Sequence, residues 1–197
     1  MGKILTIFVF VILTGNSMSQ QLESATLGGG CFWCTEAIYK QLTGVQKVTP
    51  GYSGGHTDNP SYEEVCTGRT GHAEVVHLEF DPSKVSFTEI LEVFFKTHDP
   101  TTLNRQGPDV GTQYRSVIFY HSEEQKQTAE TIIRKLEEES IYPDPIVTER
   151  TRFETFYPAE DYHKDYFAHH KNQPYCRMVI TPKLEKFEKT FSGKIKK

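Results

Sequence analysis

Phe87, Ile90, Leu91, Phe94 and Phe95 recur at i, i+3, i+4, i+7 and i+8, which is one face of an α-helix. Ser86 and Glu89 stand just before and within this run in S-x-x-E spacing, the pattern in which side chains satisfy the first backbone N–H groups of a helix. The same period returns after Ser122. There Ala129, Ile132, Ile133 and Leu136 line one side and charges the other, which predicts the longest helix, ending near Glu139. Shorter helical patterns cover Thr35 to Leu42, Tyr62 to Thr67 and Leu184 to Phe191, and the aromatic, charged stretch Asp161 to His170 reads as helical too.

Between these lie stretches with extended character: Ser24 to Gly30, Val45 to Tyr52, Ala73 to Phe80, Tyr114 to Tyr120, Ile146 to Glu149, Thr151 to Phe156 and Tyr175 to Ile180. The turn-rich SGGHTDNPS (53–61) and the polar DPTTLNRQGPDVG (99–111) read as loops. Strands and helices mix without a Pro- or Ser-rich linker and without an internal repeat. One α+β domain over 20–197 is therefore expected.

The N-terminus differs from this body. Lys3 precedes an apolar run from Ile4 to Thr14, and Ser17 and Ser19 occupy the small-residue positions before a cleavage after Ser19. Residues 1–19 thus read as a secretory leader, too short in its apolar part to span a bilayer, and the mature chain as exported without stable membrane association. The formal net charge of −4 argues against nucleic acid as the main partner.

An exported chain with 4 cysteines raises the question of disulfides, but a chain of 197 residues can bury a core without them. The thiols therefore need separate weighing. Cys31 follows Gly28-Gly29-Gly30 and opens a predicted helix. Unpaired N–H groups and the helix dipole there favour negative charge, so a lowered thiol pKa and a nucleophilic role are expected. Phe32 and Trp33 flank it and offer an apolar wall for a small soft group. Cys34 makes a C-x-x-C pair with Cys31, open to three readings: a redox dithiol, half of a zinc site, or two unrelated thiols. A zinc site would need Cys66, His56, His72 or His77 to complete it; no second C-x-x-C exists, and no H-x₃₋₅-H pair is suitably placed. His163, His169 and His170 read as surface or packing residues, and Cys66 as structural. Glu74, Tyr62, Asp109 and Tyr114 lie in polar or strand-end segments as candidate proton or hydrogen-bond donors; Glu74 alone would more simply be a solvated carboxylate.

The motifs GGGCFWCTEA, GYSGG, NPSYEEV, TGHAEVV, DPTTLNRQGPDVGTQYRSVIFY, FYPAEDYHKDY and NQPYCRMVI, spread in order from about Thr26 to Phe191, resemble the A class of peptide methionine sulfoxide reductases. The resemblance implies a ferredoxin-like two-layer sandwich with a mixed sheet and long surrounding coils, usually monomeric. It implies that Cys31 attacks the sulfur of methionine S-sulfoxide, free or within oxidised proteins. Glu74 would then protonate the oxygen, Tyr62 and Tyr114 hydrogen-bond it, Asp109 support that network, and Phe32 and Trp33 hold the methyl group. Methionine leaves, Cys31 becomes a sulfenic acid, and a second thiol closes a disulfide that a thioredoxin-like donor reduces. No metal or bound cofactor is implied. Cys176 matches the C-terminal resolving position and is favoured over Cys34, with a relay through both as a further option. The competing reading is a C-x-x-C dithiol–disulfide oxidoreductase that needs neither Glu74 nor the tyrosines.

Overall fold

The computed structural model describes residues 21–196, so the leader-like 1–19 lies outside it. The described elements run β1 (Glu23–Gly29), α1 (Phe32–Tyr39), β2 (Val45–Ser53), α2 (Tyr62–Cys66), β3 (Ala73–Phe80), α3 (Phe87–Thr97), β4 (Arg105–Gln106), β5 (Asp109–Val110), β6 (Ser116–Tyr120), α4 (Glu123–Glu138), β7 (Glu149–Arg152), β8 (Phe156–Pro158), α5 (Tyr166–His169) and α6 (Thr181–Thr190).

The main sheet has the order β7-β6-β1-β3-β2-β8. Its inner part, β6-β1-β3-β2, is antiparallel throughout, and with α1 and α3 as crossovers it is the ferredoxin-like β-α-β-β-α-β arrangement. β7 joins β6 in parallel and β8 joins β2 antiparallel, which makes the sheet mixed.

Strand alternation divides the two faces. On β3, Val76, Leu78 and Phe80 join Ala25, Leu27 and Ile118 in the large core under the helices, whereas Ala73 and Val75 join Val117 and Phe119 in a smaller cluster on the other side. Ile90, Leu91 and Phe94 of α3 fill the large core as their spacing predicts. That helix starts with the expected box: Ser86 Oγ accepts from Glu89 N at 3.2 Å, and Glu89 Oε2 accepts from Ser86 N at 2.8 Å. A second box, Ser61 with Glu64, starts α2 and fixes the orientation of Tyr62 at its first position. A cap of this kind contributes about 1 kcal/mol.

Three expectations change. Tyr175 to Ile180 is not a strand; Cys176–Ile180 forms a π-helical turn that runs into α6, with Cys176 and Ile180 buried four residues apart and the residues between them exposed or half-buried. That is a helical spacing, which outweighs the β-rich composition. The two C-terminal strands lie at Glu149–Arg152 and Phe156–Pro158, later than the sequence implied, because these edge strands bury no alternating face that would mark their register. The 99–111 loop carries the short β4–β5 ladder, which holds Asp109 opposite Gln106.

Candidate active site

Cys31 lies where β1 turns into α1, and the turn depends on glycine. Gly30 has φ +93°, and a Cβ there would fall 2.6 Å from the Gln106 side chain. At Gly28 a Cβ would meet the Glu74 carbonyl oxygen at 2.9 Å. Gly28 lets β1 close tightly on β3, Gly30 lets the turn pass against Gln106, and together they deliver Cys31, 6% exposed, to the start of α1.

Glu74 shares a β3 face with Val76 and Leu78, so the strand's own alternation carries it under the helices. It is 1% exposed, which removes the solvated-carboxylate reading. Its Oε2 accepts the Phe32 N–H at 3.1 Å, one of the free amides at the α1 N-terminus. Its Oε1 is buried with no partner. Burial pushes the carboxyl up to about 8, against the Phe32 N–H and with the negative charges of Asp109 and Cys34 adding to the rise. At neutral pH Glu74 is therefore an acid with a proton to give.

The tyrosines gather on this acid. Tyr62 and Tyr114 are half-buried, and burial first, then the Glu74 charge, pushes both hydroxyls well up, so they remain donors. Asp109 accepts from the Tyr175 hydroxyl at 2.7 Å, and that hydroxyl lies 3.9 Å from Cys34 Sγ. The aromatic pair is anchored rather than loose. Phe32 is buried among Tyr52, Tyr62 and His163. Trp33 stacks on Tyr166 with ring centroids 3.7 Å apart and donates from Nε1 to His163 Nδ1 at 3.1 Å.

All four cysteines are free. The expected lowering of the Cys31 thiol is not found: burial pushes it well up, and its hydrogen bond to Cys34 and the Glu74 charge push the same way. Cys34 is held below the usual thiol value, chiefly because the Cys31 thiol donates to it. The two shifts are opposite in sign: in their contact the Cys31 thiol is the donor and the Cys34 sulfur the acceptor. Cys176 is fully buried, and after burial itself the Cys34 charge is what raises its thiol. Cys66 is exposed at the end of α2, where Tyr62 donates to it, so it is not a buried structural thiol.

Four contributors escaped the sequence. Tyr175 links Asp109 to the thiol pair. Glu160 binds the Tyr62 N–H at 2.8 Å and the Tyr52 hydroxyl at 2.9 Å. His163, taken as surface or packing, is buried and orients Trp33. Tyr166 covers the Trp33 face. The aromatic density of FYPAEDYHKDY hinted at the last three, and Tyr175 lies in NQPYCRMVI. Among the described residues no three His, Cys, Asp or Glu groups come together as a metal site. His72 is occupied by Gly55 N and Thr57 O, and His77 by Thr26.

A family model described as peptide methionine sulfoxide reductase matches residues 23–195. The peptide methionine sulfoxide reductase of Saccharolobus solfataricus is 62% identical over 175 residues, covering 89% of this chain and 98% of its own. Among solved structures, reduced Mxr1 of Saccharomyces cerevisiae superposes with a TM-score of 0.70 at 36% identity, over 79% of this chain and 90% of that one. Methionine sulfoxide reductase A of Corynebacterium diphtheriae gives 0.68 at 35% identity, over 76% and 75%. A match that takes in both the sheet and every residue gathered around Cys31 makes this chain a member of the peptide methionine sulfoxide reductase family.

Proposed function

We propose that Cys31 attacks the sulfur of methionine S-sulfoxide while Glu74 protonates its oxygen, and that Cys34 then closes a disulfide with Cys31. The overall reaction is the family's own, that of a peptide-methionine (S)-S-oxide reductase. The observation that carries the site assignment is Glu74: a buried acid, protonated at neutral pH, with one oxygen unpartnered and the other tied to the first amide of the helix that Cys31 opens.

A sulfoxide is a weak electrophile until its oxygen takes a proton. Cys31 passes its proton along the existing hydrogen bond to the Cys34 sulfur and attacks as a thiolate. Glu74 gives its proton to the oxygen, with Tyr62 and Tyr114 donating to the same atom and Asp109 supporting them through Tyr175. The S–O bond to methionine breaks, the oxygen goes to Cys31 as sulfenic acid, and Glu74 is left ionised. Phe32 and Trp33 are assigned to the substrate methyl. Cys34 releases to solvent the proton it took from Cys31 and attacks Cys31 as the thiolate: an S–S bond forms, the hydroxyl leaves as water with a proton from solvent or a neighbouring acid, and Glu74 regains a proton from solvent.

The choice of Cys34 over the expected Cys176 is supported by the hydrogen bond that already joins it to Cys31. A hand-on from Cys34 to Cys176 is the second reading, favoured by the action of the Cys34 charge on the buried Cys176 thiol. The disulfide requires a dithiol reductant, and we assign a thioredoxin-like protein; for S. cerevisiae Mxr1 a complex with Trx2 has been crystallised. The setting is extracytoplasmic, the substrates oxidised exported proteins or free methionine sulfoxide. This is supported by the leader pattern of 1–19 and by a family match that begins only at residue 23.

The test uses reduced protein lacking 1–19, excess methionine S-sulfoxide and no reductant, with methionine counted and the disulfide mapped by mass spectrometry. Methionine release with a Cys31–Cys34 bridge, retained in Cys176→Ser and absent in Cys34→Ser, is expected. A Cys31–Cys176 bridge formed at full rate in Cys34→Ser would refute the assignment of Cys34. Disulfide reductase activity that survives Glu74→Gln, without methionine release, would restore the simple dithiol oxidoreductase.

A further inference from the structure

Lys183 sits in the first turn of α6, half-buried, and among the described residues no carboxylate lies within ion-pairing distance of it. Elsewhere Lys40 pairs with Asp165 and Lys194 with Glu89. Lys183 instead lines a crevice of about 10 Å³ together with Cys34, Thr35, His98 and Gly29. That is room for a single water at most. A half-buried ammonium that lines a crevice with a buried sulfur favours the charged form of that sulfur.

We infer that Lys183 is a positioning residue for disulfide formation, its ammonium holding Cys34 as the thiolate that attacks Cys31. The inference rests on Cys34 being the resolving thiol. It explains what the C-x-x-C spacing alone does not, namely why the thiol of the second cysteine, rather than that of the nucleophile, is the one held below its usual value. The Lys183 charge lowers the Cys34 thiol, behind the larger contribution of the Cys31 hydrogen bond and in company with the Tyr175 hydroxyl; burial and Asp109 oppose it. Once Cys31 is oxidised to the sulfenic acid, its thiol no longer donates. Lys183 and Tyr175 are then the groups left to stabilise the Cys34 thiolate. His98, the other titratable group of the crevice, is pushed by burial down to about 4 and stays neutral, so it does not compete. Glu74 faces the pair from β3 and is the carboxylate left ionised by the first step.

The condensation is balanced within the protein. The Cys34 sulfur supplies the electron pair, the Cys31–oxygen bond breaks, and the hydroxyl leaves as water with one proton from solvent or a neighbouring acid. Cys34 is oxidised and Cys31 reduced in forming the disulfide.

The experiment follows decay of the Cys31 sulfenic acid in a Cys176→Ser background after a pulse of methionine S-sulfoxide, with dimedone as the competing trap, across pH. Wild-type Lys183 should give a decay rate that rises to a plateau. In Lys183→Met the midpoint should move up by about one pH unit with the plateau unchanged, so that decay near neutrality slows roughly tenfold. Lys183→Arg should restore the midpoint, and Lys183→Gln replaces Lys183→Met if the latter aggregates. A lowered plateau with an unmoved midpoint would mean that Lys183 only packs, and overturns the inference. Decay that is unaltered in Cys34→Ser would instead overturn the assignment of Cys34 itself, whatever Lys183 does.

Discussion

Replacing Glu74 by Gln should raise stability above pH 4.5 while slowing the first turnover by orders of magnitude. The folded protein holds the Glu74 carboxyl at about 8, whereas the free side chain ionises at 4.5. Between these values the folded state keeps a proton that the unfolded chain has lost. The group's contribution to stability is therefore fully present below 4.5 and is lost as pH rises toward 8. Each unit is worth about 1.4 kcal/mol, so the loss approaches about 5 kcal/mol by the upper end. Gln cannot ionise. Its carbonyl still accepts the Phe32 N–H, and its NH₂ occupies the place of the unpartnered Oε1.

Urea unfolding of the two proteins at a series of pH values checks this. The curves should nearly coincide at pH 4.5 and separate in favour of Glu74→Gln by roughly 1.4 kcal/mol per unit up to about pH 8. Glu36, buried and pushed up to about 7, titrates in both proteins and cancels in the difference. Methionine formed in the first turnover should fall by about 10²–10⁴-fold in the variant, the usual share of a general acid. In the wild type that rate should decline above about pH 8 as the acid ionises. Parallel stability curves would refute the buried, protonated state, and an undiminished first turnover would refute the role as acid.

Tyr175→Phe removes the bond to Asp109 and should slow disulfide formation by roughly tenfold while methionine release in the first turnover changes less, as rapid-quench analysis would resolve. Gly30→Ala forces a Cβ into Gln106 at positive φ and should cost about 1–3 kcal/mol in urea unfolding, with loss of activity because Cys31 moves. Trp33→Phe keeps an aromatic against Tyr166 but loses the N–H to His163, and should raise KM for methionine sulfoxide more than it lowers kcat. Cys66→Ser should leave the Cys31–Cys34 disulfide intact in peptide maps, since Cys66 is not among the groups that act on either thiol.

The sequence by itself determined the elements whose signals are local. The i, i+3, i+4 spacing of α3 and α4 and the Ser86–Glu89 box need only neighbours along the chain. The glycines before Cys31 announce a close turn, and motif order identified the family and nominated Cys31 as the nucleophile. Tertiary structure decided what depends on surroundings. Whether Glu74 is a solvated carboxylate or a buried acid turns on which strand face the helices cover. Whether a thiol at a helix start gains or loses a proton turns on desolvation, which here outweighs the dipole at Cys31. The motif match favoured Cys176 as the partner of Cys31; Cys34 is adjacent by chain position alone, whereas Cys176 comes near Cys34 only because the C-terminal turn packs on α1. Tyr175, Glu160 and Lys183 are far from Cys31 in the chain, and no local pattern marks them. Charge, burial and hydrogen bonding act across space, so the fold assigns roles among residues that the sequence could only nominate.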